Sequence, residues 1–325
     1  MDQPSPFAIW YSAAHHQVDI KANAQSPTVN HESGDPDHQG VKQLTDTLQS
    51  AGYLADRGLA TALFIALELG RPLLLEGEVG VGKTELAKAL SKIYDCHLIR
   101  LQCYEGIDTH QALYEWDYAR QMLHVRALSG DQVQDTDAVN RLFSADFLLE
   151  RPLLEAVRAG NQCVLLIDEI DRADDEFEAF LLELLSDFQV TIPEVGTIQA
   201  ESPPIVILTS NRTRELHDAL KRRCLYHWID YPTVDQEIAI VKVRSPDVPE
   251  MLARKVVTAV NHLRRRDLTK PPGIAETLDW VAALAVVGST DLDAQSARDT
   301  LGSVIKDRDD LTDVFSDIDT VVSHV

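Results

Sequence analysis

Eight consecutive residues, Gly77-Glu78-Val79-Gly80-Val81-Gly82-Lys83-Thr84, have the types and spacing to hold a chain of phosphates. They fit G-x-x-x-x-G-K-[ST]. The glycines let the backbone turn its N–H groups inward, where a Cβ would crowd a phosphate oxygen. In this pattern the Lys83 ammonium reaches the β- and γ-phosphates, and the Thr84 hydroxyl serves Mg²⁺. Context supports the motif. Pro72 to Glu76 is apolar without alternation, as in a buried parallel strand. Glu85 to Ile93 carries apolar residues at three- and four-residue spacing, as in a helix. The loop therefore lies between strand and helix, and the helix N-terminus adds partial positive charge. The expected nucleotide contacts run from Glu78 through Val79, Gly80, Val81, Gly82, Lys83 and Thr84 to Glu85, with Asp168 added from elsewhere.

That addition comes from Cys163-Val164-Leu165-Leu166-Ile167-Asp168-Glu169, an apolar run ending in two acids. A buried parallel strand delivers Asp168 at its carboxyl end, where open α/β sheets bind ligands. Asp168 is the expected Mg²⁺ partner beside Thr84, and Glu169 is a candidate general base for an attacking water. A third buried run, Ile205 to Ser210, ends at Asn211. This residue could orient the same water, or it could be a turn former. The helical stretch Leu216 to Arg223 ends in Lys221-Arg222-Arg223. Such a cluster complements a helix dipole, or it supplies an arginine to a neighbouring subunit's γ-phosphate.

The elements that must position these groups follow from the rest of the chain. Cys96 to Gln102 and Leu225 to Ile229 read as two more strands, making five in all. Helical spacing runs through Val41–Ser50, Tyr53–Leu69 (closed by Gly70), Arg141–Ala159 (closed by Gly160) and a helix capped by Asp171-Arg172-Ala173-Asp174-Asp175 that continues through Leu185. A helix leading directly into the phosphate-loop strand could cover an adenine, although packing alone would explain it. Phe188 to Ile198 resembles a hairpin, and Tyr104 to Leu128 is aromatic without clean periodicity. Residues 129 to 140 read as a polar loop. Beyond Pro232 no buried strand appears. Asp235–Val243, Met251–Arg266, Ile274–Val287 and Ala294–Phe315 read as helices, with Arg264-Arg265-Arg266 as a solvated or subunit-contact face. The expected organisation is a polar, disordered extension over residues 1–40, an α/β domain over 41–232 and a smaller all-helical domain over 233–325. The last of these ends in an acidic tail.

Bulk properties narrow the function. The chain has 325 residues, 45% hydrophobic and 25% charged, with a formal net charge of −22. That charge argues against a general nucleic-acid binder, since phosphates would be repelled. The four cysteines show no C-x-x-C spacing and read as buried reduced thiols of a cytoplasmic protein. No apolar run approaches the ~20 residues of a membrane span, and no basic-then-apolar leader is present.

Phosphate loop, acidic strand, strand-terminal Asn, helix-end arginines and helical lid, in that order, resemble the AAA+ ATPases. Leu73 to Ala87 is similar to the MoxR branch. Arg100 to Gly106, Ala112 to Tyr118 and Leu220 to Pro232 resemble its CoxD-type members, associated with carbon monoxide dehydrogenase and related molybdenum hydroxylases. The resemblance covers about residues 45 to 312. It implies ATP and Mg²⁺ as cofactors, bound between protomers of a hexameric ring. It also implies a chaperone that completes a client metalloenzyme's metal centre with a von Willebrand factor A domain adaptor. By position it implies Asn211 as first sensor and Arg222 or Arg223 as arginine finger, with the count back from Tyr231-Pro232 favouring Arg222. Segments 104–128 and 188–200 would face the ring pore. One departure stands out: Gly273 to Leu278 carries no arginine where many relatives place a second sensor. An ATP-binding scaffold with little hydrolysis is therefore the rival reading. A GTPase is disfavoured, because no Asn-Lys-x-Asp sequence occurs.

Overall fold

Parallel strands with apolar residues on both faces need helices on both sides, and the computed structural model, which describes residues 36–127 and 142–323, has that architecture. Helices α1 (Pro36–Ser50) and α2 (Arg57–Leu69) lead into β1 (Leu73–Gly77). The phosphate loop follows, then α3 (Lys83–Ile93) and β2 (His97–Gln102). An excursion comes next: α4 (Thr109–Leu113), β3 (Tyr114–Trp116), α5 (Tyr118–Ala127) and β4 (Leu148–Glu150). The chain returns through α6 (Pro152–Ala159) to β5 (Cys163–Asp168) and α7 (Asp175–Asp187). The hairpin β6 (Gln189–Ile192) and β7 (Gly196–Gln199) precedes β8 (Ile205–Ser210), α8 (Asp218–Arg223) and β9 (Leu225–Ile229).

Five of these strands form one parallel sheet in the order β2-β5-β8-β1-β9. Alternation divides its side chains between two cores. Leu74, Leu165 and Ile167 pack with Leu153 of α6 and Phe177 of α7. Leu73, Leu75 and Leu166 pack with Leu48, Leu63 and Leu86 of α1 to α3. The order puts β1, β5 and β8 at the centre, so the loop after β1 and the acids ending β5 open on the same edge.

Helices alone follow: α9 (Val234–Arg244), α10 (Glu250–Arg264), α11 (Ile274–Val286), α12 (Ala294–Val304), α13 (Arg308–Ser316) and α14 (Ile318–Ser323). They enclose a separate core around Trp280, whose indole N–H donates to Thr300 at 2.8 Å. Arg264 is central to this lid. It pairs with Glu237 at 2.6 Å, donates to the Pro272 carbonyl at 2.6 Å, and stacks over Tyr231 at 4.6 Å. The Arg264 and Glu237 side chains are only 6% and 0% exposed. Removing one partner of a buried pair leaves the other charge unpaired, so Arg264→Ala is expected to cost the lid about 3–5 kcal/mol. Chemical denaturation would read this as an early lid transition.

Several expectations need correction. The helix expected over Arg141 to Ala159 is only α6, because Pro152 sets the helix start and the residue before proline favours extended backbone. Its expected first half is instead a 3-10 turn and β4, which pairs antiparallel with β3. The stretch expected from Ala294 to Phe315 breaks in two where Asp307 caps α13 by accepting from Asp309 N and Asp310 N. Arg264 is no solvated face, and Arg266 pairs with Asp317 at 2.6 Å. The first helix starts at Pro36 rather than Val41. Cys103, Cys163 and Cys224 are buried, but Cys96 is half-buried; all four thiols are free. The loop expected over 129–140 lies outside the described residues, as do residues 1–35 of the expected extension.

Candidate active site: the phosphate loop and the ends of β5 and β8

The loop between β1 and α3 is shaped by two glycines with positive φ, Gly80 at 79° and Gly82 at 92°. Lys83 is buried and its ammonium donates to the carbonyls of Gly77 at 2.8 Å and Glu78 at 2.7 Å. Burial pulls its pKa below the ordinary lysine value, while the carboxylates of Asp171, Glu78, Asp168 and Glu169 pull it up. Removal from water is thus the larger effect, and an arriving anion would gain a cation poorly served by solvent. The Glu78 and Val79 side chains are exposed, while Val81 is buried and anchors the loop. The Glu85 carboxylate pairs with Lys88 of its own helix at 2.6 Å and reaches the lid through Arg244 of α9 at 2.9 Å.

Asp168 ends β5, where its carboxylate gathers donors from two neighbouring strands and a helix. Thr84 Oγ1 donates to its Oδ1 at 3.0 Å, and Thr209 Oγ1 of β8 donates to the same oxygen at 2.5 Å. Arg100 of β2 donates to Oδ2 from Nε at 3.0 Å and Nη2 at 2.5 Å. A hydroxyl and a carboxylate oxygen side by side suit Mg²⁺, a hard cation that takes few protein ligands and completes its shell with water and substrate phosphate. Among the described residues no group of three or more His, Cys, Asp or Glu could hold a metal by itself. The donor set therefore fits a metal delivered with phosphate, held by Thr84 and Asp168.

Glu169 stands at the mouth with a left-handed backbone, φ 53°. Its N–H donates to Thr209 Oγ1 at 2.9 Å, and its carboxylate pairs with Arg172 at 2.8 Å. Asn211 lines the same cavity, its N–H donating to Asp171 Oδ1 at 3.2 Å. Asp171 also accepts from Thr213 N at 2.8 Å and Thr213 Oγ1 at 2.7 Å. Desolvation raises its pKa, but these donors outweigh that and leave it below the ordinary aspartate value. The loop carrying Asn211 is thus tied to the loop carrying Glu169.

The cavity measures about 870 Å³, inside the range of about 300–1,000 Å³ usual for small-molecule sites. Tyr53 and Leu54 close one wall, and Ile240, Ile274 and Leu278 of the lid close another. The segment before α2 and the lid thus share the walls of this cavity. The lid touches the phosphate loop directly: Ile274 N donates to the Gly80 carbonyl at 2.9 Å. A Cβ on Gly273 would lie 2.7 Å from Gly80 Cα and 3.0 Å from the Val79 carbonyl. Gly273→Val is therefore expected to weaken nucleotide binding about ten- to hundredfold, from an overpacking cost of about 1–3 kcal/mol. A titration with a fluorescent nucleotide would measure it.

The two candidate finger arginines have separate environments. The Arg223 guanidinium donates to the carbonyls of Leu185 and Ser186. Arg222 is exposed, and its carbonyl accepts from Arg71 at 2.7 Å. Three site residues escaped the reading of the sequence: Arg100, Thr209 and Asp171. Thr209 lies two positions before Asn211 at a strand's carboxyl end, which was the available signal. Arg100 and Asp171 had no local signal.

A five-stranded parallel sheet, a phosphate loop facing an acidic strand end and a helical lid define an AAA+ P-loop ATPase fold. Residues 72–224 match the AAA domain of the dynein-related subfamily, so the chain carries an AAA+ ATPase domain. An uncharacterised protein of Staphylococcus epidermidis is 27% identical over 232 residues, 69% of this chain and 78% of its own. The chaperone protein ClpB of Leptolyngbya boryana is 30% identical over 179 residues, 53% of this chain but 17% of its own. A RuvB structure from Thermotoga maritima aligns with a TM-score of 0.44 at 19% identity, covering 84% of this chain and 72% of that one. No helix among the described residues is long and apolar enough to cross a membrane.

Proposed function

We propose that the chain is a MoxR-type remodelling ATPase that acts on a partner protein complex. The observation that carries this is the convergence of Lys83, Thr84, Asp168 and Glu169 on one cavity closed by a lid resting on Gly80. Lys83 holds the β- and γ-phosphates and takes up charge as the γ-phosphoryl group leaves. Thr84 and Asp168 would hold Mg²⁺, which would supply charge neutralisation to the phosphates. Glu169 turns from Arg172, accepts a proton from water, and the water oxygen attacks the γ-phosphorus as ADP departs. Asn211 orients that water, and Arg222 of a neighbouring copy completes the pocket.

In this reading the Ile274–Gly80 hydrogen bond couples the phosphate loop to the lid, and movement of the lid does work on a client. The reading extends to a hexameric ring in the cytoplasm, with the segments over 104–128 and 188–200 toward its pore. A von Willebrand factor A domain adaptor and a client such as a molybdenum hydroxylase are its proposed partners. Support comes from the MoxR-like and CoxD-like stretches of the sequence and from the similarity to a protein named a chaperone. The test is capture of the client from the source cell by the Glu169→Gln protein with Mg-ATP. Recovery of a metalloenzyme and an adaptor supports the reading. A trap that holds ATP, forms a ring and captures neither would overturn it.

A second reading, an ATP-loaded assembly scaffold, is favoured by the Glu169–Arg172 pair and by the lack of arginine between Gly273 and Leu278. Phosphate release that stays negligible with and without the client would select it.

A further inference from the structure

We propose that Arg100 is a positioning residue that aims the Asp168 carboxylate at the metal. The inference rests on the reading above, in which Asp168 and Thr84 serve Mg²⁺. In the β2–β5 register Arg100 lies opposite Leu166 and Gln102 lies opposite Asp168. Alternation puts Arg100 and Gln102 on the same side of the strand. The Arg100 side chain runs along that side, and both its Nε and Nη2 grip Asp168 Oδ2, while Nη2 also donates to Gln102 Oε1 at 2.5 Å.

The carboxylate is thereby divided. Oδ1 faces Thr84 and Thr209, and Oδ2 is held by the guanidinium. The terminal torsion of an aspartate is soft, with a broad two-fold profile. The two hydroxyls hold Oδ1, and the guanidinium adds a two-nitrogen grip on Oδ2 that fixes the other end of the carboxylate. The backbone is fixed separately, because Cys103 N donates to the Asp168 carbonyl at 2.8 Å. Loss of Arg100 therefore releases Oδ2 and loosens the carboxylate torsion, while leaving the strand in place.

The guanidinium also has an opposite influence, because a cation near the site repels a dication. Arg100 is 51% exposed, so water and salt screen that repulsion. The grip is attenuated less, because its acceptor Asp168 is only 4% exposed, and positioning prevails.

The experiment is titration of Mg²⁺ into full-length protein with fluorescent ADP, for wild type, Arg100→Met and Arg100→Lys. Loss of an outer partner of a metal-ligating carboxylate costs about ten- to hundredfold in metal affinity. The Mg²⁺ concentration for half-maximal tightening is expected to rise by that factor in Arg100→Met. Affinity in EDTA should stay at the wild-type value, because the phosphate loop is untouched. Arg100→Lys should show the same loss, since an ammonium has no fork. It is the readout to use should the methionine variant fail to fold. An unchanged or lowered Mg²⁺ requirement overturns the proposal, as does an equal loss of affinity in EDTA, which would mark a structural role. A wild-type protein whose nucleotide affinity ignores Mg²⁺ would overturn the metal reading itself, and this one with it.

Discussion

The Glu169→Gln protein is expected to bind ATP as the wild type does and to hydrolyse it about 10²–10⁴-fold more slowly, the usual contribution of a positioned general base. The amide keeps the size of the side chain and can still meet Arg172, but it cannot take a proton. The backbone is unaffected, because the Glu169 N–H stays on Thr209 Oγ1. The left-handed backbone turns this side chain away from the strand direction, and such strain is kept where the surrounding structure imposes it. Single-turnover hydrolysis beside equilibrium ATP binding separates the two effects. Wild-type turnover in this variant would remove Glu169 from the base role.

Arg222→Ala is expected to lower turnover about a thousandfold or more while leaving the isolated subunit's fold and nucleotide affinity intact. Arginines supplied across a subunit boundary typically contribute factors of about 10³–10⁵. The neighbouring Arg223→Ala should behave oppositely. Its guanidinium holds the end of α7 through the carbonyls of Leu185 and Ser186, so its loss should cost stability, by about 1–3 kcal/mol, before it costs chemistry. The decisive measurement mixes Arg222→Ala with Glu169→Gln subunits. In a ring, one variant's arginine serves the other's intact base, so some activity returns. If neither variant alone nor the mixture departs from simple addition, Arg222 serves no neighbour.

The arginine pair also marks the limit of the sequence. Both arginines end a helix, and counting residues favours Arg222. What separates them is that α7, some 40 residues earlier in the chain, offers its last carbonyls to Arg223. A similar limit applies to the excursion after β2. Leu148 to Glu150 has no strand pattern of its own, and it is a strand only because Tyr114 to Trp116 lies beside it. The triple arginine at 264–266 read as solvated because charge runs usually are; Glu237 of α9 made Arg264 an internal residue.

The phosphate loop, the acidic strand and the five-strand plan were legible in the amino-acid sequence, because each depends on neighbours within a few residues. Glycines set the loop, unbroken apolar runs set buried strands, and short acidic or proline signals set helix starts. The grip of Arg100 and Thr209 on Asp168, and the seat of Gly273 on Gly80, were decided by tertiary structure alone. A parallel sheet brings together strand ends separated by tens of residues. Which side chains meet there depends on strand order and register, which no local pattern specifies.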